Sequence, residues 1–98
     1  MEKGTPRHSL DEVKTLIHAG AVQITLTAMR GAFALGLEYP DIVNTALSLS
    51  HHDFYKSMTS YGDSHSWQDV YHPNTEAGKV YLKLTVRERA LVLSFKEL

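Results

Sequence analysis

Two periodicities divide the chain near Asp53. Before it, apolar residues recur at intervals of three and four; after it, they alternate with polar ones to the end. Ser9-Leu10-Asp11-Glu12 matches a capping box in which Ser9 caps the third helical amide and Glu12 reaches back. Leu10, Val13, Leu16 and Ile17 then mark one face of a helix over about Leu10–Ala19, closed by Gly20. Ala21-Val22-Gln23-Ile24 forms a short extended piece, after which Thr25 or Thr27 caps a second helix that buries Leu26, Met29 and Phe33. Gly36 ends that helix. Pro40 in a first turn, with Asp41 beside it, opens a third whose Ile42, Val43, Ala46 and Leu47 face the core. Ser50 with Asp53 caps one further short turn.

The alternating half predicts two hairpins. In the second, Val80, Leu82, Leu84 and Val86 alternate with Tyr81, Lys83, Thr85 and Arg87, and Leu91, Leu93 and Phe95 alternate with Val92, Ser94 and Lys96. Their apolar faces coincide across the Arg87 to Ala90 turn when Val86 pairs with Leu91 and Leu84 with Leu93. That register sets Tyr81 opposite Lys96 and Lys83 opposite Ser94, away from the apolar layer. The first hairpin joins Asp53–Tyr61 to Trp67–Tyr71 through the turn-forming Gly62-Asp63-Ser64-His65. Both faces of its first strand carry aromatics, so its register stays open. An even register puts Lys56, Gln68 and His72 on one face; an odd one separates Lys56 from Gln68. Helices followed by strands imply an α+β domain, N-terminal helices covering one face of a mainly antiparallel sheet.

Size and composition narrow the chemistry. Ninety-eight residues, 43% hydrophobic, suit one domain with its own core over residues 1–98. The absence of cysteine removes thiol catalysis, disulfides and Cys-type zinc sites. No apolar run approaches the ~20 residues of a membrane helix, and the first residues lack a signal-like apolar core, so a cytoplasmic protein is expected. A net charge of −1 argues against indiscriminate nucleic-acid binding. Its distribution is uneven: Lys79 to Lys96 holds Lys79, Lys83, Arg87, Arg89 and Lys96 against Glu88 alone, so a polyanion favours the C-terminal part.

On the candidate hairpins Lys56 supplies a cation, Gln68 a neutral donor and acceptor, and Tyr55, Tyr61 and Tyr71 hydroxyls and flat rings. His51 and His52 are adjacent and diverge by about 100° on a helical turn, so they do not share one metal. Asp63, His65 and His72 contain metal-ligand types, but turn chemistry accounts better for Asp63 and Gly62; no metal or other cofactor is expected. Trp67 fits a hydrogen-bonded core position better than a base-stacking one. Ser57, Ser60 and Ser94 have no His-Asp companions at a suggestive spacing.

The strings Met1-Glu2-Lys3, Thr5-Pro6, Val13-Lys14, Ala19-Gly20, Leu35-Gly36-Leu37, Asp53-Phe54-Tyr55-Lys56-Ser57-Met58-Thr59, Trp67-Gln68-Asp69-Val70-Tyr71, Val80-Tyr81-Leu82-Lys83 and Ser94-Phe95-Lys96-Glu97 closely resemble the motility quorum-sensing regulator (MqsR) toxin family. The resemblance runs the length of the chain. It implies a RelE-like fold and a type II toxin, an endoribonuclease that cleaves mRNA, preferentially at GCU, without the ribosome. It also implies an MqsA-like antitoxin partner with a zinc-binding N-terminal half and a helix-turn-helix C-terminal half, through which alone DNA would be contacted. The family's active-site positions fall on Lys56, Gln68, Tyr81 and Lys96.

Metal-free RNA cleavage needs a base for the 2′-hydroxyl, donors for the phosphorane and an acid for the 5′-oxygen. Lys56 and Lys96 can stabilise the phosphorane, and a lysine depressed toward neutrality can serve as base. Tyr81 can donate a proton, and Gln68 can orient phosphate or a base edge. Lys83 and Tyr55 are candidate RNA contacts, to backbone and base respectively. The same face also fits a non-catalytic RNA-binding module, or a subunit whose sheet edge receives an antitoxin strand and regulates transcription through it.

Overall fold

A computed structural model describes residues 1–60 and 63–98, with side chains of 60–65 excluded. Tyr61, and the side-chain contributions weighed for Ser60, Asp63 and His65, lie outside the described residues. The elements run β1 (Glu2–Lys3), α1 (Leu10–His18), β2 (Val22–Ile24), α2 (Leu26–Ala34), α3 (Tyr39–Leu47), a 3-10 turn (His51–Asp53), β3 (Phe54–Ser60), β4 (Asp63–Tyr71), β5 (Asn74–Thr75), β6 (Gly78–Arg87) and β7 (Ala90–Glu97). The main sheet has the order β1-β3-β4-β6-β7-β2, with β5 attached to β6. Its pairings are antiparallel except for β2, which lies parallel to β7. The expected α+β architecture is present. Among the described residues no helix is long and apolar enough to cross a membrane.

The helix boundaries follow local chemistry. Ser9 Oγ accepts the Glu12 amide at 3.1 Å, but Glu12 turns its carboxylate to His8 Nδ1 at 3.2 Å, so one half of the expected capping box forms. Gly20 and Gly36 take φ of 74° and 76°, the left-handed conformation that terminates a helix without a Cβ penalty. Thr25 caps α2 by accepting the Ala28 amide at 3.0 Å, and the Ser50 amide donates to Asp53 Oδ2 at 3.0 Å across the 3-10 turn.

The core lies between the helices and one sheet face. Val13, Ile42, Ala46, Leu82, Leu84, Leu91, Leu93 and Phe95 are buried there. The face of α2 differs in part from the expected one: Met29 packs half-buried against the core, but Leu26 is 65% exposed and Phe33 59%, while Ala28 and Ala32 are fully buried. The reason is close approach. A Cβ on Gly31 would stand 2.8 Å from the Phe95 carbonyl oxygen, so the helix lies against β7 through its small residues and turns Leu26 and Phe33 outward.

The β6–β7 register is the expected one, with Val86 opposite Leu91, Leu84 opposite Leu93 and Tyr81 opposite Lys96. Its two-residue turn places Glu88 at φ 52° and Arg89 at φ 65°. Positive φ at both central positions matches a tight turn to the right-handed twist of the strands. The first hairpin differs from expectation at its tip, since β4 begins at Asp63 inside the segment expected to turn. Beyond that, Lys56 pairs with Val70 and Met58 with Gln68, which is the even register. Between Phe54 and Lys56 the register shifts, leaving Tyr55 as an extra residue in a β-bulge.

Candidate active site

Strand alternation lays the candidate residues out in rows on the sheet face away from the helices. One row runs Lys56, Val70, Lys83, Ser94 across β3, β4, β6 and β7. On one side of it stand His72, Tyr81 and Lys96; on the other, Met58 and Gln68. Lys83 thus occupies the middle of the group, with the four family positions around it.

Two of those four, Tyr81 and Lys96, are in contact, and Lys56 stands on the same face across β4. The Lys96 ammonium lies 4.7 Å from the centre of the Tyr81 ring, and Lys56, from the opposite side, interacts electrostatically with the same tyrosine. Gln68 lies a row away, lining with Lys83, Ser94, Thr85 and Arg87 a cleft of about 170 Å³. The bulge makes Tyr55 and Lys56 share this face although they are consecutive. Tyr55, 56% exposed, stacks on His72 with centroids 4.4 Å apart and planes 20° off parallel, and His72 in turn leans on Tyr81 at 5.8 Å. Rings from β3, from just past the end of β4 and from β6 therefore form a continuous aromatic ridge beside the lysines.

The lysines differ electrically. Lys56 Nζ lies 2.6 Å from the Glu2 carboxylate, and that hydrogen bond holds the ammonium above its ordinary pKa while drawing the Glu2 carboxyl below its own. Lys56 is therefore not the depressed lysine considered for a base. Lys83 is the one whose pKa is lowered, by burial and then by Lys96. Burial, aided by Lys79, also lowers the pKa of His72; its Nε2 is buried without a hydrogen-bond partner among the described residues.

Glu2 is the residue that periodicity missed. Its strand is two residues long, and its partners lie 54 to 56 positions away. It is held firmly all the same. The Met1 carbonyl accepts the Thr59 amide at 3.0 Å, and the buried Asp69 carboxylate accepts the amides of Arg7 and His8, each at 2.8 Å, with Ser57 Oγ at 2.7 Å. Lys3, on the other side of the strand, sits 4.4 Å above the Trp67 ring. Trp67 is thus half-buried at the margin of the helical side rather than inside the core, on the face opposite Gln68. Among the described residues, no three His, Asp or Glu side chains gather in a way that would hold a metal.

Residues 5–97 match the family model described as "Motility quorum-sensing regulator, toxin of MqsA". The chain is 50% identical over 97 residues, 99% of each sequence, to "mRNA interferase toxin MqsR" of Escherichia coli (strain K12). The strings of identity noted in the sequence are thus those of a family, and this chain belongs to the MqsR toxin family.

Proposed function

We propose that the protein is the toxin of a type II toxin-antitoxin pair and acts as an mRNA interferase, an endoribonuclease working without the ribosome and without metal, preferentially at GCU. The observation that carries the mechanism is that Lys56, Tyr81 and Lys96 share the sheet face away from the helices, with Lys96 against the Tyr81 ring. Two cations from opposite sides can grip one phosphodiester and offset the charge that develops on the phosphorane. Tyr81, between them, is positioned to protonate the 5′-oxygen as it leaves, and Gln68 to orient the phosphate or a base edge from the neighbouring row. Attack by the 2′-hydroxyl then yields a 2′,3′-cyclic phosphate, or the 3′-phosphate from its hydrolysis, and a 5′-hydroxyl.

The flanking groups extend the grip along the RNA. The exposed face of Tyr55, backed by His72, offers a nucleobase a platform whose ring orientation is already fixed. Lys83 contributes positive potential at the centre of the group and can meet backbone phosphate. The whole chain acts as one domain in the cytoplasm, where its substrate is. Its partner is an MqsA-like antitoxin with a zinc-binding N-terminal half and a helix-turn-helix C-terminal half.

Incubating purified, partner-free protein in excess chelator with RNA containing all triplets, followed by mapping of both ends, tests this reading. Cleavage at GCU leaving cyclic or 3′-phosphate and 5′-hydroxyl ends is expected, with Lys56→Ala about 100-fold or more slower. Intact RNA, or cleavage that requires a divalent metal, would overturn it.

A further inference from the structure

We propose that Glu2 is a catalytic residue of this site, the carboxylate that accepts the 2′-hydroxyl proton of the RNA while Lys56 holds the scissile phosphate. The inference rests on the endoribonuclease reading above and supplies the group that reading lacks, a proton acceptor.

The geometry narrows the choice. Lys56 is kept ionised by Glu2 and serves as a cation, not a base. The buried Nε2 of His72 is enclosed in the stack between Tyr55 and Tyr81 and is out of reach of a substrate hydroxyl. Glu2, by contrast, is largely exposed and on the open face, since it pairs with Met58, itself the partner of Gln68. A phosphate oxygen on Lys56 Nζ places the adjoining ribose next to the carboxylate 2.6 Å away. An ionised carboxylate is an acceptor only, so at neutral pH Glu2 stands ready without prior deprotonation. The anchoring of the N-terminal segment by Thr59 and Asp69 makes this a placed group rather than a passing surface contact.

The step balances. The 2′-hydroxyl proton passes to a Glu2 carboxylate oxygen and the 2′-oxygen forms its bond to phosphorus. The bond from phosphorus to the 5′-oxygen breaks, and that oxygen takes the Tyr81 proton. Solvent then returns the proton from Glu2 to Tyr81. Among the described residues, the charged and titratable groups around the Glu2–Lys56 pair are the Met1 ammonium just before β1, Tyr55 on β3 and Tyr81 on β6, with Lys3 turned away over Trp67.

The test is the pH dependence of single-turnover cleavage by wild type, Glu2→Gln and Glu2→Asp, with binding to an uncleavable 2′-deoxy analogue and thermal midpoints measured alongside. Glu2→Gln is expected to slow cleavage about 10²- to 10⁴-fold at neutral pH and to lose the acidic limb of the wild-type profile. It should bind the analogue as tightly or more tightly, because an anion beside the phosphate is gone. Glu2→Asp should retain the acidic limb at reduced rate, which keeps the proposal testable if the glutamine variant folds poorly. Wild-type rates in Glu2→Gln, or a slowed variant that keeps the acidic limb and thereby implicates another base such as Lys83, would overturn the proposal and leave the nuclease reading standing. Wild-type protein that leaves RNA uncut would instead remove the nuclease reading itself.

Discussion

Tyr81 and Lys96 are direct cross-strand partners, and the ammonium of Lys96 rests 4.7 Å from the centre of the Tyr81 ring. Two groups fixed by one hairpin register are expected to act as a unit. Tyr81→Phe and Lys96→Ala should each lower the rate of RNA cleavage by about 100-fold, and the double variant by much less than the product. A double-mutant cycle on single-turnover rates checks this; fully multiplicative losses would show that the two contribute independently.

The packing of α2 on β7 makes Gly31 a position where one methyl group matters. Its Cβ would meet the Phe95 carbonyl at 2.8 Å and the Lys96 Cα at 3.3 Å, both backbone atoms that cannot swing aside. Gly31→Ala is expected to destabilise the protein by about 1–3 kcal/mol by urea denaturation, despite alanine's better helix propensity. Because the strain falls on the backbone beside Lys96, cleavage should weaken as well.

Glu88 and Arg89 both occupy the left-handed region with side chains that disfavour it. Replacing them with Asn and Gly, which suit such a turn, should raise stability by about 1–2 kcal/mol without altering cleavage. A thermal midpoint no higher than that of the wild type would count against the turn geometry.

Tyr71 is buried, its hydroxyl has no partner among the described residues, and its pKa is pushed up to about 12, chiefly by burial and then by Asp69 and Asp53. The folded state thus retains the phenolic proton more tightly than the unfolded chain. Its contribution is complete below the ordinary tyrosine value near 10 and is lost as pH rises from there to about 12. Denaturation followed across that window should show the loss, and Tyr71→Phe should reduce it. At neutral pH the same variant should be neutral or more stable by up to about 1 kcal/mol, since it deletes an unsatisfied buried hydroxyl.

The two hairpins differ in how fully the sequence specifies them. In β6 and β7, one face of each strand is apolar throughout up to a two-residue turn, so the tightest register that makes the apolar faces coincide is the one formed, and Tyr81 beside Lys96 follows. In β3 and β4, aromatics on both faces and a bulge at Tyr55 remove that constraint, and long-range pairing has to decide. The face of α2 was hidden for another reason: hydrophobicity favours Leu26 and Phe33, whereas the depth of the contact with β7 admits only Ala28, Gly31 and Ala32. Glu2 left no periodic trace because a two-residue strand has none. Family resemblance supplied Lys56, Gln68, Tyr81 and Lys96 together; the residue types alone describe any solvated sheet surface.

The extra residue at Tyr55 has a consequence for how the toxin can vary. Deleting a single amino acid there would restore unbroken alternation past Phe54 and leave a place on the open face for the phenol or the ammonium, but not for both. The length of this strand is therefore under the same constraint as its chemistry, and insertions or deletions should be borne far more easily in the loop after α2 than in these few positions.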